Sequence, residues 1–93
     1  LAANYLKDSS LWTSLKKKLE DANYICPYTG EHLQLAVNAS LDHIKPLTNF
    51  PELAHEISNL EWVLLDVNFA KRALSRDEFL TLVDRIHKHV ISN

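Results

Sequence analysis

The sequence predicts an α+β fold, with a core built from a β-hairpin and a helix and with a further helix at each end. Residues 9–22 and 75–91 carry apolar side chains at helical spacing, and residues 33–44 alternate apolar and polar side chains around a polar reversal. The chain has 93 residues, which suits one domain with one modest core. We therefore expect a single domain over residues 1–93, with its core at about residues 24–74 and the two helices flanking it.

The first helix is expected to begin near Ser9 or Ser10, because a serine hydroxyl can accept a hydrogen bond from the free amides of a first turn. The apolar residues that recur at helical spacing and predict its packed face are Leu11, Trp12, Leu15, Leu19 and Ala22. The lysines at positions 16–18 lie on the other side, where a solvated charged face is the simpler interpretation and a binding surface the alternative.

A turn and a hairpin are predicted next. The segment Cys26–Gly30 favours a turn, because its proline fixes one φ angle and its glycine admits a positive one. Leu33–Val37 then alternate like a half-buried strand, Asn38–Ser40 reverse the chain, and Leu41–Ile44 return as the second strand. Because side chains alternate along a strand, the aspartate and the histidine of the returning strand point to opposite faces.

A polar loop at residues 47–58 separates this hairpin from the remaining elements. Leu60–Leu65 is an apolar run that is either a strand or the entrance to a helix. Asp66 can cap a short helix that follows, and spacings of three and four place the polar residues of that helix on one face. These polar residues are Asn68, Lys71 and Arg72.

The final helix carries the clearest local signal. Ser75 and Glu78 have the spacing of a capping box, in which a hydroxyl and a carboxylate each accept a hydrogen bond from a backbone amide of the first turn. The apolar residues behind this cap predict one buried stripe. They are Phe79, Leu82, Val83, Ile86 and Val90.

Composition restricts the function. The formal net charge is −2, although nucleic-acid-binding proteins are usually basic, so phosphate binding would need a local cluster, a metal ion, a further domain or a dimer partner. The local basic residues are Lys16–Lys18, Lys45, Lys71 with Arg72, and Lys88. The single cysteine, Cys26, excludes an internal disulfide and a cysteine-rich zinc site within this chain. No apolar run approaches the length of a membrane span, and we expect a cytoplasmic protein.

Three short pieces together suit phosphodiester hydrolysis. Asp42 precedes His43 in the returning strand, Asn59 follows the polar loop, and Asn68 lies on the short helix. A neutral imidazole can take a proton from water near neutral pH, and carboxylate and amide oxygens suit a hard cation. An asparagine side chain has both a donor and an acceptor with which to hold the imidazole-bearing segment.

In this order, the pieces resemble the HNH, or ββα-metal, nuclease family in its variant with asparagine at the third position. Cys26–Gly30 is similar to the knuckle turn of that family, and Asn59–Val63, Asn68 with Lys71, and Ser75 with Glu78 resemble its phage-type members. The resemblance covers about residues 24–83 and implies a ββα-metal core of prokaryotic or phage origin. Many members hold a structural zinc with paired cysteines, whereas here the turn must be held by packing of the tyrosine in the knuckle and its neighbours.

The resemblance also implies a role for each matching residue. His43 corresponds to the general base, and Asn59 to the residue that braces the segment bearing it. Asp42 and Asn68 correspond to the metal ligands, with Mg²⁺ the expected ion and Mn²⁺ the alternative. Lys71, together with the adjacent Arg72, would face the substrate phosphate.

Simpler interpretations exist for most of these residues. His43 alone would be a hydrogen-bonded hairpin histidine, Asn59 a turn residue, and Lys71 and Arg72 a solvated helix face. A zinc site formed by His32, His43 and His55 is an alternative that composition allows. Trp62 and Phe69 are expected in the core and not as base-stacking residues. We therefore expect a DNA endonuclease, with an inactive nucleic-acid-binding module or an interaction domain as the alternatives and RNA as a less favoured substrate.

Overall fold

The backbone places two strands between the first helix and two consecutive helices. The computed structural model describes residues 9–92, and the side chains of residues 10–91. The elements are α1 (Ser9–Asp21), β1 (Ala39–His43), β2 (Leu60–Leu64), α2 (Leu65–Lys71) and α3 (Arg76–Ser92). Short 3-10 turns at Pro51–Leu53 and Ile57–Asn59 interrupt the connection between the strands. The result is an α+β arrangement of a two-stranded antiparallel sheet and three helices.

The sheet has two faces that contact different helices. In the antiparallel register Leu41 lies opposite Trp62, and Asp42 lies opposite Glu61. Because directly opposite residues share a face, the first pair points to one side and the acidic pair to the other. The first side contacts α1, where the Trp62 indole donates a hydrogen bond of 2.8 Å to the carbonyl of Leu15. The acidic side contacts α2 and the start of α3.

Helix α1 lies where its sequence predicts, and its predicted packed face is confirmed except at Ala22, which follows the helix and is exposed. Leu15 and Leu19 are fully buried, and Trp12 packs edge-on against Trp62 with ring centroids 6.3 Å apart. The prediction that Trp62 lies in the core is therefore confirmed. The structure describes α1 from Ser9 onward, so Ser10 lies within the helix and is not its cap, and the side chain of Ser9 lies outside the described residues.

The turn at residues 26–30 is also confirmed. The amide of Gly30 donates to the carbonyl of Cys26 at 2.9 Å, and Gly30 has a φ of 75°, which favours glycine. Cys26 is buried, and Tyr28 packs edge-on against Phe79 with ring centroids 5.8 Å apart. The Arg76 guanidinium lies over the Tyr28 ring, 5.2 Å from its centroid. Aromatic and cation–π packing therefore hold the turn against α3.

The predicted hairpin between Leu33–Val37 and Leu41–Ile44 is wrong in its first strand. The amides of Val37, Asn38 and Ala39 all lie near the carbonyl of Gln34, at 3.2, 3.1 and 3.1 Å. Ala36 has a φ of 63°, so the segment forms a turn and leaves Val37 68% exposed. The partner of β1 is instead Leu60–Leu64, across residues 44–59. The alternation of apolar and polar residues predicted a strand at Leu33–Val37. The strand that pairs with β1 instead comes from the distant segment Leu60–Leu64.

Helix α2 differs from its prediction at both ends. It begins at Leu65, directly after β2, so the N-cap position falls on Leu64 and not on Asp66. Arg72 is the C-cap and has a φ of 52°, which takes it out of the helix. Phe69 was expected in the core, and this was wrong, since its side chain is 69% exposed.

In helix α3 the predicted capping box is confirmed, but most of the predicted buried stripe is exposed. The Ser75 amide donates to Glu78 Oε1 at 2.9 Å, and the Glu78 amide donates to Ser75 Oγ at 3.2 Å. Phe79 is buried and Leu82 is partly buried, but the remainder of the predicted stripe is exposed. The exposed residues are Val83, Ile86 and Val90. No other described element covers this part of α3, and none of the helices within residues 9–92 is long and apolar enough to cross a membrane.

Candidate active site

An open cavity of about 340 Å³ lies between β1, the loop that follows it, and α2. Its lining includes Asp42, His43, Asn68 and Arg72. The remaining lining residues are Leu41, Pro46, Leu47, Thr48 and Ala73. Residues that are separated in the sequence by the loop 44–59 and strand β2 therefore share one solvent-accessible concavity.

His43 ends strand β1 and is partly buried. Its Nε2 lies 3.2 Å from the backbone carbonyl of Ala54, in the loop between the strands. Because a carbonyl oxygen can only accept a hydrogen bond, Nε2 carries the hydrogen in this contact. In the neutral ring the basic nitrogen is then Nδ1. The carbonyl of Ala54 thus selects the tautomer of His43, a role that side-chain patterns in the sequence could not reveal.

Asn59 fixes the chain directly beyond His43. Its side chain is buried, its Oδ1 accepts a hydrogen bond from the Lys45 amide at 2.8 Å, and its Nδ2 donates to the Lys45 carbonyl at 3.1 Å. The Asn59 carbonyl also accepts from the Ile44 amide at 2.9 Å. Three hydrogen bonds from one residue therefore hold the backbone that leaves the strand, while the contact that orients the imidazole itself comes from Ala54.

Asp42 and Lys71 form a buried ion pair. Lys71 Nζ lies 3.1 Å from Asp42 Oδ2 and 3.3 Å from Oδ1, and the two side chains are 4% and 1% exposed for Asp42 and Lys71 respectively. The same ammonium donates to the carbonyl of His43 at 3.0 Å. The expectation that Lys71 faces a substrate phosphate does not match this placement, because its charge is turned inward to neutralise Asp42. A carboxylate buried without such a partner would be costly.

Asn68 joins α2 to β1 through its amide nitrogen. Nδ2 donates to Ser40 Oγ at 2.7 Å and to the carbonyl of Leu41 at 3.0 Å. Both amide hydrogens are therefore engaged, and Oδ1 accepts no hydrogen bond from the described residues. Asn68 lines the cavity, and its two hydrogen bonds fix the side chain that carries this oxygen.

Arg72 is the cation that lines the cavity from its exposed side. Its amide donates to the Asn68 carbonyl at 3.0 Å, which closes the last turn of α2. Within the described part of the chain, its guanidinium makes no ion pair. The two adjacent basic residues therefore differ, since Lys71 is internal and Arg72 is open to solvent.

A second layer of charge lies behind Asp42. Glu61, opposite Asp42 in the sheet, contacts Arg76 with Oε2 and Nη1 3.5 Å apart. Burial raises the pKa of Glu61, Arg76 opposes the rise, and the charge of Asp42 adds to it. Burial, with the nearby charge of Glu61, also raises the pKa of Tyr28 to about 12. This layer was not predicted, because in the sequence Glu61 is only a polar residue within an apolar run.

The donor set suits a hard divalent cation that keeps most of its water. Asp42 supplies carboxylate oxygens and Asn68 an amide oxygen, which are ligands that Mg²⁺ prefers. A carboxylate has about four lone-pair positions, so the contacts with Lys71 leave acceptor capacity on Asp42. No group of three or more histidine, cysteine, aspartate or glutamate side chains that could hold a metal occurs among the described residues, and the zinc site of His32, His43 and His55 is not formed there.

Comparisons with known proteins leave the family of the chain open. Neither a scan against protein-family models nor searches of curated proteins and of solved structures return a match.

Proposed function

We propose that this chain is a metal-dependent endonuclease that hydrolyses DNA phosphodiester bonds on a ββα-metal core. The observation that carries the proposal is the shared cavity, which is lined by a histidine, a carboxylate, an amide oxygen donor and an arginine. A base, a cation site and a phosphate contact are the three groups that hydrolysis of a phosphodiester requires. A module that only binds a partner has no use for this combination.

His43 is the general base in this proposal. With hydrogen on Nε2 toward Ala54, Nδ1 takes a proton from the attacking water. The oxygen of that water forms the new bond to phosphorus, the bond from phosphorus to the 3′-oxygen breaks, and the 3′-oxygen gains a proton from solvent. The Ala54 carbonyl stabilises the imidazolium that forms, because it accepts a hydrogen bond from the charged ring.

Asp42 and Asn68 would hold the metal ion, Mg²⁺ or Mn²⁺. When bound, such an ion supplies charge stabilisation for the scissile phosphate and the departing oxygen. The two hydrogen bonds from Asn68 to β1 fix its side chain, so its amide oxygen is held in one orientation on a residue that lines the same cavity as Asp42. Lys71 is a positioning residue, since it contacts both Asp42 and the carbonyl of His43.

Arg72 would bind a nonbridging phosphate oxygen of the substrate. A guanidinium presents paired donors that match phosphate geometry, and Arg72 lines the cavity without an internal partner among the described residues. With a net charge of −2, DNA affinity then depends on this local cation, on the metal ion, and on a dimer partner or further domain.

The test is cleavage of supercoiled plasmid by the purified chain in Mg²⁺ and in Mn²⁺. We expect nicked or linear products, loss of cleavage in EDTA, and a rate lower by about 10²–10⁴-fold in His43→Ala. His89→Ala serves as the matched control, because His89 is an exposed histidine of the last turn of α3. Absence of cleavage in every metal, or equal rates in His43→Ala and His89→Ala, would contradict the proposal.

A second candidate function is an interaction module that pairs through α3. Val83, Ile86 and Val90 are exposed and recur at spacings of three and four, which is the seam spacing of a coiled coil. The first turn of α3 is acidic, with Asp77 and Glu78, whereas its last turn carries one basic residue, His89. In a full-length antiparallel pair with a second copy, the acidic turn of each helix would lie beside the basic turn of the other.

Analytical ultracentrifugation tests this second candidate. A dimer that dissociates in Ile86→Glu, but persists in the exposed control Thr81→Glu, would support pairing through α3. A wild-type monomer at every concentration would exclude it. A dimer without cleavage in any metal would make the interaction module the better account of the chain.

A further inference from the structure

Helix α2 exposes two apolar side chains next to the cavity. Phe69 is 69% exposed and Leu65 is 37% exposed, and their spacing of four residues places them one turn apart on the same face. The same helix buries Val67 and the ammonium-bearing Lys71. A helix of seven residues therefore leaves its only aromatic side chain in solvent while it buries a lysine.

These two side chains continue the stripe that forms the site. Leu65, Asn68 and Phe69 follow one another at the spacings that define a single side of a helix, and Arg72 is the C-cap that follows them. Asn68, a member of this stripe, and Arg72 line the cavity. Leu65 and Phe69 thus form an apolar ridge, named here the α2 ridge, along the border of the candidate active site.

We infer that the α2 ridge contacts the bases of DNA beside the scissile phosphate, with Phe69 as the residue that inserts against a base step. The inference rests on the proposed function. When Arg72 and the cation site engage a phosphate, the neighbouring side chains of the same helix side face the sugars and bases attached to it. An apolar side chain placed there has no hydrogen bond to offer, and its favourable interaction is with base faces exposed by unstacking.

This contact selects a class of substrate. Inserting Phe69 costs unstacking energy, and that cost is lowest where bases are already loosely stacked. Cleavage should therefore be fastest beside flexible pyrimidine–purine steps, bulges and mismatches. Because the α2 ridge offers no donors or acceptors to base edges, the preference is for deformable DNA and not for a fixed base sequence.

The experiment measures binding and base unstacking with the cleavage-deficient His43→Ala chain. A duplex carrying 2-aminopurine at a central TA step reports insertion as increased fluorescence, and anisotropy gives the affinity. We expect Phe69→Ala to weaken binding by about tenfold and to abolish the fluorescence increase, with partial recovery in Phe69→Trp. The matched control is Ile91→Ala, which truncates a 67% exposed apolar residue on α3 and should change neither quantity.

The outcomes separate this inference from the proposed function. If the wild type cleaves plasmid and Phe69→Ala matches the parent in affinity and fluorescence, the inference is overturned and the proposed function stands. If the wild type neither cleaves nor binds DNA, both are overturned. Binding with an unstacking signal that depends on Phe69 supports the inference even where plasmid cleavage is slow.

Discussion

Helices α2 and α3 differ in the kind of residue that they bury. The short α2 buries Lys71 and fixes Asn68 against β1, whereas the long α3 buries Phe79 and exposes Val83 and Ile86. The difference follows from what each helix contacts. Helix α2 lies on the acidic face of the sheet, where buried charge has a partner. Helix α3 contacts the core at Phe79 but extends beyond it, so Val83 and Ile86 remain exposed. Burial is therefore decided by the neighbouring element and not by the polarity of the residue.

The largest expected effect comes from removing the buried charge of α2. Lys71→Met leaves Asp42 buried without its cation, and we expect the free energy of unfolding to fall by about 3–5 kcal/mol. Urea denaturation measures this loss. The matched control is Lys88→Met on α3, whose ion pair with Asp84 has side chains 73% and 56% exposed and should leave the midpoint nearly unchanged. Similar losses in the two variants would contradict the contrast between the helices.

The adjacent arginine should behave differently from Lys71. Arg72→Ala removes an exposed cation, so folding stability should stay close to that of the wild type while DNA affinity falls by about tenfold. The dependence of log affinity on log salt concentration should lose about one unit of slope, as for one phosphate contact. Fluorescence anisotropy over a salt series measures both quantities. An unchanged slope would mean that Arg72 does not contact phosphate.

The acidic face behind α2 predicts a dependence of stability on pH. Burial, together with the charge of Asp42, raises the pKa of Glu61 above its ordinary 4.5 although Arg76 opposes the rise. The folded state then binds this proton more readily than the unfolded state, so the wild type loses stability as pH rises from 4.5 through the raised value. Glu61→Gln lacks this titration, and its stability relative to the wild type should increase across that window and then level. Denaturation at a series of pH values checks this, and a difference independent of pH would contradict it.

The smallest effect is expected on the exposed part of α3. Ile86→Ala truncates a 54% exposed side chain, and at low protein concentration we expect a change within about 0.5 kcal/mol in the free energy of unfolding. Leu19→Ala, the same kind of truncation at a fully buried position of α1, should cost about 2–5 kcal/mol. Thermal or urea denaturation compares the two. A large loss in Ile86→Ala would show that the stripe is covered in solution.

Features that depend on neighbouring residues were predictable from the sequence. The capping box of Ser75 and Glu78 and the turn ending at Gly30 are each closed by residues within a few positions, so their residue types determine them. Helix α1 was predicted for the same reason, since its period directly reports one packed face. Features that depend on distant segments were not predictable in this way.

The pairing of β1 with residues 60–64 is the clearest feature that depends on a distant segment of the chain. Two apolar runs were candidate partners of β1, and the alternation of apolar and polar residues favoured the nearer one. A tight turn at Ala36 prevents that pairing. The site shows the same division. Asp42, His43 and Asn68 could be named from their order, but the inward charge of Lys71 and the carbonyl of Ala54 depend on contacts across the fold.

The central claim is that Asp42 and Asn68 form one cation site beside His43, and binding of Mn²⁺ tests it most directly. Electron paramagnetic resonance of free Mn²⁺, titrated with the chain at neutral pH, gives the affinity without requiring cleavage. We expect one saturable site in the wild type, loss of most of that affinity in Asn68→Ala, and wild-type binding in Asp84→Ala, which removes an exposed carboxylate of α3. Binding that is absent from the wild type, or that survives in Asn68→Ala and disappears in Asp84→Ala, would contradict the account.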